Sequence, residues 1–276
     1  MWRLLHPTAA FTCALVLSTT GCFAITDLDR FKDECEGDLN TRRDFNAEIT
    51  NLQAFMGALP PANARVELRV VNEEFVNVAR AVVDGLNERT ESESVKVFMP
   101  RAIPHGKHQV HIYIDLNQNH RYDRVIGALA QQEPSWIAEM CPSGLFRFNA
   151  TEALQDIEDP ATSSPGGLFS LKLTDLFPHL GGEQKLELLV FSDENVVPAI
   201  GYYRAPGVLK PELQVNVPGI ITSETHYRVD FYIDKNADGV YSGHPTDHSW
   251  RLALASEGDT LSQTWQHTGE FDDVEF

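Results

Sequence analysis

From Asp44 onward, apolar residues recur at every second position in short runs that end in Pro, Gly, Asn or Asp. That alternation is the signature of half-buried strands punctuated by turns. In VHIYID at 110–115, Val110, Ile112 and Ile114 share one face while His111 and Tyr113 share the other. VDFYID at 229–234 repeats the arrangement, with Val229, Phe231 and Ile233 set against Asp230 and Tyr232. Such strands predict a sheet with one buried face. No long window carries a helical period, and VARAVV at 78–83 reads better as strand than as a turn of helix. The expected fold class is all-β.

The strands are written twice. DFNAEITNL at 44–52 matches LFSLKLTDL at 168–176, VELRVV at 66–71 matches LELLVF at 186–191, and VKVFMPRAIP at 95–104 matches LQVNVPGIIT at 213–222. Further on, PSW at 134–136 answers HSW at 248–250, and FNATEALQDI at 148–157 answers WQHTGEFDDV at 265–274. Between the copies lies EDPATSSPGG at 158–167, whose composition marks a linker. The expectation is two tandem β-sandwich domains, immunoglobulin-like or carbohydrate-binding-module-like, over 44–157 and 168–276. One misfit stands: His108 and His226 align only with a one-residue shift, which implies a bulge or a mistaken match.

Each central strand runs into an oxygen-rich turn. The first offers Asp115, Asn117, Asn119 and Asp123; the second offers Asp234, Asn236, Asp238 and, further on, Asp247. Oxygens two residues apart in a tight loop can converge on a hard cation such as Ca²⁺, with Arg121 and Val240 supplying backbone carbonyls. The competing reading is a metal-free Asx turn, since Asn, Asp and Gly tolerate left-handed geometry and bond their own backbone. The loops resemble the DxDxDG calcium loops of EF-hand, dockerin and integrin-propeller repeats, with Asp234, Asn236, Asp238 and Gly239 at the first, third, fifth and sixth positions. Pro245 stands where an EF-hand has its bidentate Glu, and His120 replaces the glycine in the first copy.

A formal charge of −18 argues against nucleic acid, whose phosphates need Lys and Arg, and suits a soluble, cation-attracting surface. Residues 1–21 read as a secretory leader whose apolar run, 9–17, is too short to span a bilayer. LSTTGC resembles a bacterial lipobox ahead of a lipidated Cys22, although Thr19 replaces the usual Leu; a cut after Ala24 is the alternative. Residues 22–43 then form a charged spacer. Cys35 and Cys141 remain, and in an exported chain such a pair is expected to bond.

No GxSxG, P-loop or GxGxxG is present, so no enzyme is expected. His105, His108, His111 and His120 in the first copy, with His244 and His248 in the second, invite Cu or Zn. Yet His108 and His111 fall on opposite strand faces, and no zinc spacing such as HExxH occurs. Tyr113, Tyr202, Tyr203, Tyr232 and Trp250 are candidate sugar-stacking platforms, and Arg251 is expected to pair with a loop carboxylate.

Over residues 44–276 the chain resembles an uncharacterised group of bacterial exported lipoproteins built from paired domains. That group's pattern is a strand, an Asp/Asn loop ending near Tyr-Asp, then Pro, Asp-His and Trp-Arg. The second copy carries Asp234, Asn236, Asp238, Tyr241, Pro245, Asp247, His248, Trp250 and Arg251, with Ser242 in place of the Asp. The first keeps Tyr122, Asp123 and Trp136 and lacks Asp-His and the arginine. The resemblance implies a β-sandwich fold and no known activity. The resulting expectation is a non-enzymatic envelope or cell-surface lipoprotein with structural Ca²⁺ loops, its partners being the membrane through Cys22 and a glycan or envelope protein. A carbohydrate-binding module and a metal-free adhesion or scaffold protein are the alternatives.

Overall fold

The structure is a computed structural model. It describes residues 41–55, 64–86, 94–123, 133–141, 145–151, 153–157, 166–180, 184–192, 198–205, 209–274 and 276. The expected leader, Cys22, Cys35 and most of the linker lie outside the described residues, and with them the expected lipidation at Cys22 and the expected pairing of Cys35. Cys141 itself is disulfide-bonded. Among the described residues no helix is long and apolar enough to cross a membrane.

The protein is all-β. The first repeat supplies β1 (Arg43–Thr50), β2 (Arg65–Asn72), β3 (Asn77–Val83), β4 (Val95–Ile103), β5 (His108–Asp115), β6 (Ser135–Met140) and β7 (Leu145–Asn149). The second supplies β8 (Gly167–Thr174), β9 (Lys185–Phe191), β10 (Ala199–Arg204), β11 (Leu213–Ile221), β12 (His226–Asp234), β13 (His248–Ala255) and β14 (Thr260–Gln266). Short 3₁₀ turns, Leu52–Phe55 and Phe177–His179, follow β1 and β8. VARAVV is strand β3, as its alternation predicts.

The two repeats do not form separate sheets. Four strands from each join edge to edge in one eight-stranded sheet, ordered β13-β12-β9-β10-β3-β2-β5-β6, while β4-β1-β7 and β11-β8-β14 form two small sheets. The seam is the parallel pair β3/β10, in register from Gly201 opposite Arg80 to Arg204 opposite Val83. It pairs the β3 and β10 edges that the two half-sheets would otherwise leave open. Tyr203 crosses it to donate to Asp84 Oδ2 at 2.6 Å, and the Asp84 amide donates to the Arg204 carbonyl.

Because equivalent strands meet in parallel, one half-sheet is turned over relative to the other. Ala79, Ala81 and Val83 of β3 point into the core of the first repeat, whereas Val82 points into that of the second. Conversely Leu186, Leu188 and Val190 face the second core, while Leu189, Phe191 and Tyr202 enter the first. The small sheets therefore cover opposite faces of the large one. The same parallel seam directs β5 and β12 the same way, so both Asp/Asn turns emerge at one end of the large sheet.

The one-sided burial expected of β5 and β12 does not hold. His111, Tyr113, Asp230 and Tyr232 are buried as well as their apolar neighbours. The C-terminal segment of each repeat folds back over that outer face. Ile157 packs with Tyr113 and Tyr122, and the Phe276 ring lies 4.6 Å from that of Tyr232. The misfit between His108 and His226 is also resolved. Pairing with β2 and β9 aligns Ile114 with Ile233, so His108 occupies the position of Tyr227 and His226 falls one residue earlier.

Candidate cation site

Both turns have the same backbone path. Their fourth and sixth residues are left-handed, Gln118 and His120 in the first and Ala237 and Gly239 in the second. The sixth position favours glycine, and Gly239 meets that preference. His120 adopts the strained φ of 63° instead, which aims its amide at Asp115 and its ring at Glu67. In the first turn Asp115 Oδ1 accepts from the Gln118 amide and Oδ2 from the His120 amide. Asn117 and Asn119 both donate to Asp123 Oδ2, at 2.6 and 2.8 Å, while their own oxygens accept the Asn119 and Arg121 amides. In the second turn Asp234 Oδ2 accepts from the Gly239 amide at 2.8 Å, but buried Oδ1 has no hydrogen-bond partner among the described residues. Asn236 and Asp238 cap the turn with their side-chain oxygens, which accept from the Asp238 and Val240 backbone amides, and the Asn236 side chain also donates to Asp238 Oδ2.

Each turn is closed by a second carboxylate from the segment just ahead of the next strand. Asp247 accepts from the Lys235 and Ser242 amides at 3.1 and 2.8 Å. In the first repeat Glu133 does the same, accepting from the Leu116 and Asp123 amides at 2.9 Å each. The Asp-His position of the first copy is therefore occupied by Glu133-Pro134 rather than lost. Glu133 was legible in the match of PSW to HSW, since both carboxylates stand three residues before the tryptophan. Burial pushes the Glu133 carboxyl up to about 8, against the pull of its two amide donors. The same bracing recurs beyond, where Ser135 and Ser249 donate to the Gln155 and Asp272 carbonyls, and Trp136 and Trp250 to those of Thr151 and Glu270.

Glu67, Asp115 and His120 come together beneath the first turn, with possible ligand atoms within 4.8 Å of one another. That space is already served by fixed cations. Arg80 donates to Glu67 Oε2 at 2.6 Å and to the Tyr113 hydroxyl, and Arg65 reaches His120 and pairs with Asp84 at 3.1 Å. Burial alone would push Glu67 up, but Arg80 and His120 prevail and hold its carboxyl at about 2. The group is an ion-pair network in which guanidinium supplies the counter-charge. Beneath the second turn, Glu187 faces Arg204 at 3.4 Å and its carboxyl is raised by burial, with Asp234 adding to the shift.

The aromatic platforms proposed for sugar stacking are inside the protein: Tyr113, Tyr202, Tyr203, Tyr232 and Trp250 are all buried in the packed layers. Arg251 pairs with Asp230, its cross-strand neighbour, through two bonds of 2.7 and 2.8 Å. His108 and His111 are buried on β5 and face opposite ways. Burial lowers His111 to about 4, with Arg69 adding to it. A second histidine group is not apparent from local spacing. His179 and His267, 88 residues apart, meet at 3.1 Å between Nε2 atoms, with the His248 ring 5.2 Å from that of His179.

No protein-family model matches the chain, and no curated protein matches it. Among solved structures, an adhesin candidate from Bacteroides thetaiotaomicron is 10% identical, covering 74% of this chain and 80% of that one, with a TM-score of 0.24. An adhesin candidate from Bacteroides ovatus is 11% identical over 83% of this chain and 89% of that one, also at 0.24. A DUF3823 family protein from Bacteroides uniformis is 9% identical over 78% and 99%, at 0.18. Superposition at that level carries no argument about this chain's fold or role, which rest on its own residues.

Proposed function

We propose that the chain is a non-enzymatic, exported surface protein of the adhesion or scaffold kind, in which the second Asp/Asn turn holds Ca²⁺ as a structural ion. Cys22 would provide the lipid anchor. The observation that carries the calcium reading is Asp234: one carboxylate oxygen fastens the turn to Gly239, and the other is buried without a hydrogen-bond partner among the described residues. A buried carboxylate oxygen is costly unless a donor or a cation meets it. Asn236, Asp238 and the Val240 carbonyl would complete a set of hard oxygens, with Asp247 bracing the turn behind them. Two carboxylates place the expected affinity at roughly 10⁻⁴ to 10⁻³ M, suited to extracellular calcium. The first turn, whose Asp115 oxygens are both bonded to amides, would serve as its metal-free counterpart.

The non-enzymatic part of the reading is supported by how the buried ionisable groups are used. Buried Glu67 pairs with buried Arg80, and buried Asp230 pairs with the exposed Arg251, rather than being turned into a cleft. Burial of the five aromatic residues weighs against the sugar-binding alternative.

The thermal midpoint of the chain from Ile25 to Phe276, measured in EDTA and across a Ca²⁺ titration, tests the calcium reading. An ion that binds only the folded state raises the midpoint, by an amount equivalent to about 1.4 kcal/mol at ten times the dissociation constant. Asp234→Asn should abolish most of that rise. Superimposed curves up to several millimolar would leave a metal-free scaffold.

A further inference from the structure

We propose that the second repeat carries a transition-metal site, distinct from the Asp/Asn turns, in which His179 and His267 are paired ligands for Zn²⁺ or Cu²⁺ and His248 is the third.

The protein supplies its own control, because each position has a counterpart in the first repeat. Phe55 ends the 3₁₀ turn after β1 and packs edge-on to Trp136 at 5.1 Å; His179 ends the turn after β8 and packs edge-on to Trp250 at 5.8 Å. Ala150 follows β7 and donates its amide to the Thr50 carbonyl; His267 follows β14 and donates to that of Thr174. Pro134 precedes the Ser-Trp pair of β6, and His248 precedes that of β13. At one mouth of the sandwich, Phe, Ala and Pro thus become three histidines while the backbone bonds stay the same. The first repeat demonstrates that apolar residues fill these positions adequately. Packing alone gives no reason for imidazole at all three.

The placement of the nitrogens points the same way. His179 is 2% exposed and turns its Nε2 onto that of His267. The two Nε2 atoms of His179 and His267 face each other at 3.1 Å, so a direct bond requires one to carry the proton and the other a lone pair. A metal ion accepts both lone pairs. With about 2.05 Å to each nitrogen, it would see them at an angle of roughly 100°, within reach of tetrahedral geometry. Neutral imidazoles select Zn²⁺ or Cu²⁺ over the hard cation expected at Asp234. His248 lies 5.2 Å from His179 between ring centres, and its Nε2 is held 3.1 Å from the Lys235 ammonium. It joins the pair once its side chain turns and Lys235 moves away, leaving water for the fourth position.

The test is titration of the full chain with Zn²⁺ by calorimetry and with Cu²⁺ by tryptophan fluorescence. Trp250 lies 5.4 Å from His267 between ring centres and Trp265 lies 5.9 Å away, so bound Cu²⁺ should quench both. We expect one ion per chain at micromolar concentration or tighter. His179→Phe and His267→Ala restore the residue types of the first repeat, and each should weaken binding more than about tenfold. Near-ultraviolet dichroism would verify that both variants keep the native packing. Absence of stoichiometric binding by the wild type, or equal binding and quenching in the double variant, overturns the proposal.

Discussion

Glu133 and Asp247, both fully buried, each receive two backbone amides from the turn ahead of them. Glu133→Ala would strip the partners from the Leu116 and Asp123 amides, at a cost of about 1–3 kcal/mol for each buried donor left unpaired. Glu133→Gln, which keeps one acceptor, should lose about half as much, as read from urea midpoints. His111 supplies a pH dependence. Its ring faces Arg69 across the strand pair, and its Nε2 lies 3.3 Å from the Gln109 amide oxygen. Its folded pKa of about 4 lies below the ordinary 6.5, so the folded state favours the neutral ring. The contribution of His111 is therefore complete above pH 6.5 and is lost as pH falls from 6.5 towards 4. His111→Phe should flatten that part of the curve of stability against pH; an unchanged slope would show that other groups set it.

At the scale of elements, the seam between β3 and β10 is the most exacting contact. A Cβ on Gly201 would come within 2.6 Å of Ile220 Cδ1 and 3.2 Å of Val190 Cβ. Gly201→Val should therefore destabilise by about 1–3 kcal/mol through overpacking. Tyr203→Phe, which removes the bond to Asp84 across the seam, should cost about 1 kcal/mol. The strands themselves were legible in the sequence because alternation is a local property, and DFNAEITNL, VELRVV and VARAVV all lie where it places them. The seam was not legible, since β3 and β10 pair over about 120 residues and Val82 looks no different from any other strand valine. The Asp/Asn turns announced themselves by spacing. His179 and His267 carry no such spacing and meet only through the β8/β14 pairing.

At the scale of the molecule, the turned-over halves make each repeat dependent on the other. Val82 of the first repeat is buried in the second core, and Leu189, Phe191 and Tyr202 of the second are buried in the first. Residues 44–157 or 168–276 expressed alone would expose these side chains along an open edge strand. We expect such halves to self-associate, and the intact chain to elute as a smaller species than their mixture on gel filtration; two well-behaved monomeric halves would contradict it. The shared end of the sheet also sets the two Asp/Asn turns five strand spacings apart, roughly 24 Å at about 4.8 Å each. Anything that engages both must span that distance.

The pairing of first strand with last has a mechanical consequence. β1 runs parallel to β7, and β8 parallel to β14. A tether drawn from the amino-terminal side of each repeat against its carboxyl-terminal side loads these pairs along their length, so the ladder bonds share the force instead of peeling singly. Five paired positions resist in the first repeat and seven in the second. Stretched from its ends on a cantilever, the chain should rupture first at β1/β7 and at a higher force at β8/β14. A protein moored at one end and gripped at the other would thus yield in its anchor-proximal half while the histidine-bearing half kept its grip.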